Sequence, residues 1–172
     1  VWAAAINEGK YDGTATVYSG PYFYQANAQN DPVRVEKSAY QPITNAGNKN
    51  WGYIDYDQGM IYSSNVVAAE VQNRLITPEI HLQYLKDFGF FKTVSTDGLS
   101  EQTGILNFTW PSDKLALSYG QGSTVTTLQL LQAYSAIAGD GTMKRPYYIE
   151  SIRDPYDTTK VLYQAQTKIT GE

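Results

Sequence analysis

Ser118-Tyr119-Gly120-Gln121-Gly122-Ser123-Thr124-Val125-Thr126-Thr127-Leu128-Gln129-Leu130-Leu131-Gln132-Ala133-Tyr134 is the stretch on which the fold reading turns. Its first part is a turn of small residues, where glycine, lacking Cβ, lets the backbone run close to whatever lies beside it. The turn lacks the lysine and the spacing of a phosphate-binding loop. Its second part opens a helix. Thr126 and Gln129 have capping-box spacing, in which each side chain satisfies an orphan backbone donor of the first turn. Leu128 and Leu131, with Leu130, Tyr134 and Ile137, give a broad apolar face ending at Gly139-Asp140-Gly141. Read alone, the stretch is a tight turn feeding a capped helix.

Working outward, the tail reads as a hairpin: Tyr147 to Ile152, a turn at Asp154-Pro155-Tyr156-Asp157, then Thr159 to Tyr163. On the other side, residues 92–118 contain Gly98, Gly104 and Pro111 and are expected to be irregular with short strand pieces. Before them, Thr77 as N-cap, Pro78 in the first turn and Gly89 at the end bound a helix with Ile80, Tyr84, Leu85 and Phe88 as its buried stripe. A further helix is expected from Asn65 to Leu75, with Val67, Val71 and Leu75 on one face. Residues Tyr11 to Ala46 read as loops with one or two short strands. Val1-Trp2-Ala3-Ala4-Ala5-Ile6 reads as the end of a helix closed at Gly9.

Composition bounds the function. The chain has 172 residues, 42% of them hydrophobic and 17% charged, which argues for a globular domain with its own core. The net charge of −4 is spread without a basic stripe, so nucleic acid is not an expected partner. With no cysteine, disulfides, thiol nucleophiles and cysteine-ligated zinc are excluded. The 15 tyrosines suit half-wet surfaces, and the simplest role for them is clamping loops onto the body of the domain. His81 is the sole histidine, set between Ile80 and Leu82, and reads as an exposed or hydrogen-bonded structural residue. No acidic or histidine spacing converges on a metal. Asn107-Phe108-Thr109 matches a glycosylation sequon, a pattern short enough to arise by chance.

One further segment carries candidate chemistry, Tyr62-Ser63-Ser64-Asn65-Val66 at the head of a helix. Ser and Asn are favoured N-caps, so capping is the plain reading. The same geometry also holds a hydroxyl and an amide rigidly outward, where one can pass a proton while the other fixes a substrate carbonyl.

Taken together and in order, these segments resemble the transpeptidase domain of class B penicillin-binding proteins. Trp51-Gly52-Tyr53-Ile54 leading to Ser63-Ser64-Asn65 is similar to the approach to that family's Ser-x-Asn motif. Tyr84-Leu85-Lys86-Asp87-Phe88-Gly89-Phe90 and Thr103-Gly104-Ile105 look like its next helix and loop. Ser118 to Tyr134 is similar to its Phe-Gly-Gln-Gly turn and following helix, with Tyr119 in place of the common Phe. The resemblance is collinear over nearly the whole chain and weakest from Tyr11 to Asn50. It implies an α+β fold of the penicillin-binding protein/beta-lactamase type, this chain supplying mainly the helical subdomain plus a C-terminal strand hairpin. Residues 1–172 are then expected to be an internal segment, between the family's Ser-x-x-Lys and Lys-Ser/Thr-Gly motifs.

The resemblance further implies a peptidoglycan D,D-transpeptidase that cross-links stem peptides through a serine acyl-enzyme and is acylated by beta-lactams. Ser63 and Asn65 would be catalytic, Trp51 and Gln121 would border the substrate cleft, and neither metal nor organic cofactor is implied. The nucleophilic serine and its lysine are expected outside the chain, so the isolated segment is expected to be inactive. Expected partners are the stem peptide, beta-lactams, the rest of the same domain and other cell-wall synthesis proteins. The expected location is the extracytoplasmic face of the bacterial membrane, anchored by a segment outside the chain. The alternatives are a serine beta-lactamase, which needs a deacylating base, or a non-catalytic beta-lactam sensor or scaffold.

Overall fold

The computed structural model describes residues 1–98 and 100–171. The chain divides into two compact units, Val1–Tyr84 with Leu106–Ser123, and Leu85–Ile105 with Thr124–Glu172.

The first unit is built around one buried helix. It contains α1 (Trp2–Asn7), β1 (Thr16–Tyr18), β2 (Tyr24–Ala26), β3 (Pro32–Arg34), β4 (Tyr53–Asp55), α2 (Tyr56–Ile61), α3 (Asn65–Glu70), most of α4 (Pro78–Asp87) and α5 (Pro111–Ser118). Strands β1 and β4 pair antiparallel, Val17 opposite Ile54, and β2 and β3 form a second antiparallel pair. The sequence predicts one apolar face for α3, yet every residue from Val66 to Glu70 is buried. Val67 and Val71 join Ala4, Ala5, Val17, Ile54, Tyr56 and Ile76 in one core cluster. Val66 and Ala69 face the other way, onto Tyr22, Tyr24 and Leu115 of a second. A helix apolar on all sides is one surrounded by protein. Its one charged member, Glu70, is bound by Arg34 of β3 at 2.9 Å.

Beyond Glu70 the helix widens into a π turn over Val71–Leu75, which the sequence did not signal. The turn buries Gln72, whose Nε2 donates to Lys114 O at 2.8 Å while Oε1 lies 2.7 Å from His81 Nδ1. Because Oε1 can only accept, Nδ1 of His81 carries the proton. Burial pushes the His81 pKa down to about 3, so this is a neutral, hydrogen-bonded structural histidine.

Helix α5 corrects the expectation of irregular chain over 92–118. Pro111 occupies the first helical turn, where its missing N–H is no loss, and the Asp113 carboxylate accepts from Trp110 N at 2.9 Å and Thr109 N at 3.2 Å. The proline that looks like a breaker is a starter.

In the second unit, α6 (Thr127–Ile137) begins at the expected capping box of Thr126 and Gln129. Its buried face is not the expected one. Gln129, Gln132 and Ala133 are buried, whereas Leu131 is 57% exposed and Tyr134 and Ile137 are each 61% exposed. Gln129 can sit inside because its amide is satisfied, Nε2 donating to Lys92 O and Thr103 O. The stripe on α4 differs similarly: His81 is buried, and Ile80, Tyr84, Leu85 and Phe88 are half-buried. β5 (Met143–Lys144) pairs antiparallel with β8 (Ile169–Gly171), a contact the sequence did not signal. The expected tail hairpin forms from β6 (Ser151–Arg153) and β7 (Val161–Gln164). Among the described residues, no helix is long and apolar enough to cross a membrane.

Candidate active site

Helix α2 starts at a capping box, Asp55 accepting from Gln58 N and Gln58 from Asp55 N. It ends three residues before α3, and the join is a Schellman turn: Ser63 N donates to Met60 O at 3.0 Å and Ser64 N to Gly59 O at 2.9 Å. That turn needs a left-handed residue at Ser63, whose φ is +53°. Glycine is the usual occupant, and a side chain there costs about 1–2 kcal/mol. Gly59 is required for a different reason, since a Cβ on it would lie 2.3 Å from Val67 Cγ1.

The two serines of the motif divide their work. Ser64 is the N-cap of α3, buried, its Oγ accepting from Val67 N at 3.1 Å and donating to Asn45 Oδ1 at 2.8 Å. Both capacities of that hydroxyl are committed. Ser63 projects from the turn into solvent. Capping falls to Ser64, and the adjacent Ser63 hydroxyl is left exposed. Asn65 is half-buried in the first turn of α3, and its Nδ2 donates to Thr44 O at 3.0 Å, which sets the plane of the amide.

Trp51 reaches the same turn. Its ring stacks on Tyr62, centroids 5.0 Å apart and 25° between planes, and Tyr62 immediately precedes Ser63. The structure therefore brings Trp51 against the turn that carries Ser63 and leads into Asn65. Gln121 is held by a separate device. Helix α5 ends in another Schellman turn, with Gly120 N donating to Leu117 O at 3.2 Å and Gln121 N to Ala116 O at 2.9 Å. Gly120 takes the left-handed position at φ +78°, and the Gln121 side chain is exposed. Leu115 of α5 packs with Val66 and Ala69 of α3 in one cluster, so the helix leading to Gln121 is seated on the helix that Asn65 begins. Burial pushes the Tyr119 pKa up to about 12, so its phenol stays neutral beside the turn.

The assembled groups are hydroxyls, amides and aromatic rings. Such a set can donate to a carbonyl or relay a proton, but it offers no strong base of its own. No cluster of three or more metal-ligating side chains occurs among the described residues. Sequence reasoning missed Asn45 and Ser19, buried polar residues behind the motif; lying in loop-like sequence, they gave no periodic or spacing signal.

The family model of the penicillin-binding protein transpeptidase domain matches residues 1–171. The chain is 36% identical over 90 residues to stage V sporulation protein D of Bacillus subtilis, covering 51% of the chain and 14% of that protein. It is 32% identical over 99 residues to a peptidoglycan D,D-transpeptidase FtsI homolog of Mesostigma viride, covering 54% of the chain and 16% of that protein. The chain thus spans about a sixth or less of these relatives' lengths. In fold it is similar to penicillin-binding protein 2X of Streptococcus thermophilus, with a TM-score of 0.76 at 24% identity over 97% of the chain and 22% of that structure. With its α+β architecture, its Ser63-Ser64-Asn65 turn and a family match running almost end to end, the chain belongs to the penicillin-binding protein transpeptidase domain family.

Proposed function

We propose that the protein bearing this chain is a serine-type peptidoglycan D,D-transpeptidase at the extracytoplasmic face of the membrane, acylated also by beta-lactams. The family match and the transpeptidase named among its relatives support this reading. Residues 1–172 form the middle of the catalytic domain, and the attacking serine and its lysine come from sequence beyond them. The serine hydroxyl attacks the penultimate D-Ala carbonyl, its proton passes to the lysine, and the C–N bond to the terminal D-Ala breaks as the leaving nitrogen is protonated. An amine of a second stem peptide then displaces the serine.

Ser63 relays the proton between lysine and leaving nitrogen, and Asn65 hydrogen-bonds the acyl-side amide of the ligand and orients the lysine. Trp51 and Gln121 border the cleft. The observation that carries this reading is the division of labour at the turn: the Ser64 hydroxyl is consumed by the cap, while Ser63, in a left-handed conformation that favours glycine, keeps an exposed one. Backbone strain of this kind concentrates at functional sites. In the full-length protein, Ser63→Ala should slow acylation by a fluorescent penicillin about 10²- to 10⁴-fold, the usual worth of a proton-transfer group, with the fold intact. Acylation at the wild-type rate would sink the role. The isolated 172-residue polypeptide should take no label at all.

A further inference from the structure

Behind the Ser63 turn stands a side chain outside the three-residue motif. Asn45 precedes the 3₁₀ turn Ala46–Asn48 and is 3% exposed. Its amide makes four hydrogen bonds: Nδ2 donates to Ser19 O at 2.8 Å and Lys49 O at 2.9 Å, and Oδ1 accepts from Ser64 Oγ at 2.8 Å and Val66 N at 3.2 Å. Two carbonyls on one side and a backbone N–H on the other permit only one orientation of that amide. The neighbouring Thr44 carbonyl receives Asn65 Nδ2.

The network continues to the Trp51 segment. Ser19 is fully buried; its Oγ donates to Gly52 O at 2.9 Å and accepts from Trp51 N at 2.9 Å. One amide thereby joins three pieces of chain: the turn that presents Ser63, the first turn of α3 that carries Asn65, and the loop that carries Trp51. Fully satisfied buried networks fix a single geometry, and partly satisfied ones do not. Structural core bonds alone would not need to converge on all three.

We propose that Asn45 is a positioning residue for the active site, holding the Ser63 turn, Asn65 and Trp51 in register through Ser64 and Ser19. This rests on the transpeptidase reading above. The test uses the full-length protein and a fluorescent penicillin, with the acylation rate constant at saturation measured per folded molecule. Asn45→Ala should lower that constant about 10- to 100-fold, the scale of a misplacement near 1 Å. Asn45→Asp keeps the oxygen that Ser64 and Val66 use but sets a second oxygen against the Ser19 and Lys49 carbonyls. It should therefore be as slow as Asn45→Ala while ionised, and recover part of the loss only as pH is lowered and its protonated carboxyl can donate to one of them. Ile76→Ala, a core deletion just past the π turn that follows α3, should lower the melting temperature and leave the rate constant unchanged.

If Asn45→Ala does not fold, Ser64→Ala, which removes one arm of the same bond set, should show the loss instead. An unchanged rate constant in the folded variant, or an equal loss in Ile76→Ala, would overturn the positioning role. Ser63→Ala measured alongside separates the two ideas. If it acylates normally, the proton-relay reading itself is wrong; if it is slow while Asn45→Ala or Ser64→Ala is normal, only the positioning role falls.

Discussion

Two helices of the first unit end in the same Schellman turn with different residues at its left-handed position. At the end of α5 that residue is Gly120, φ +78°, and at the end of α2 it is Ser63, φ +53°. The hydrogen bonds are alike, a short pair from the turn back to the last helical carbonyls in each case. Glycine is the undemanding solution. Where serine occupies the position instead, the fold gives up about 1–2 kcal/mol and gains a hydroxyl in a fixed place. The Gly120 turn steers backbone, and the Ser63 turn presents a side chain.

The largest expected effect breaks that comparison directly. Ser63→Gly makes the two turns chemically alike. It should raise stability by about 1 kcal/mol, read as a higher denaturation midpoint, because the left-handed penalty is removed. The same variant should lose about 10²- to 10⁴-fold in acylation rate in the full-length protein. A fall in stability would show that the serine side chain supports the turn, and the contrast with Gly120 would be void.

Acid offers a control that should strike both turns together. Gln72, in the π turn that continues α3, bonds both Lys114 of α5 and His81 of α4, so it ties the helix that follows the Ser63 turn to the helix that ends in the Gly120 turn. His81 has its pKa lowered from 6.5 to about 3 by burial, so the unfolded chain binds the proton first as pH falls. Stability is full above about pH 6.5 and should decline by up to about 1.4 kcal/mol per pH unit toward pH 3. Denaturant midpoints measured from pH 7 to 4 should show the slope, and His81→Gln should flatten it. A slope unchanged by that substitution would assign the acid sensitivity to other groups.

How much of this was legible varies with how local the cause is. The starts of α4 and α6 were readable because Thr77-Pro78 and Thr126 with Gln129 satisfy their own first turns, within a few residues. Ser63, Asn65 and Trp51 are singled out only through a resemblance in motif order; the stack of Trp51 on Tyr62, eleven positions on, has no local sequence signal. Helix α5 was misread because Pro111 both breaks and begins helices, and only the Asp113 bonds decide which. The inner face of α6 was misread because an apolar count cannot see that the Gln129 amide finds two carbonyls. Asn45 was invisible for the same reason, its four partners lying up to 26 positions away along the chain.

A steric test sharpens what the Ser63 turn needs beyond its own residue. Gly59 supplies the carbonyl that Ser64 N uses and also lets α2 close on α3. Gly59→Ala would drive a Cβ into Val67, a buried β-branched side chain with little freedom to yield, and should cost about 1–3 kcal/mol in chemical denaturation. A neutral result would mean that the two helices can part without loss.

The smallest expected effect concerns Gly120, where no heavy atom outside the immediate chain lies within 4 Å of an added Cβ. Any penalty in Gly120→Ala must therefore come from the backbone at φ +78° and not from a clash. The expected loss is about 1 kcal/mol, and Gly120→Asn, whose side chain tolerates the left-handed region, should lose about half as much. Because Ser63 stands at the equivalent place, the Gly120→Ser loss measures, with opposite sign, what Ser63→Gly should recover. If the two values differ widely, the Ser63 hydroxyl or its neighbours offset part of the strain, and the difference gives the size of that compensation.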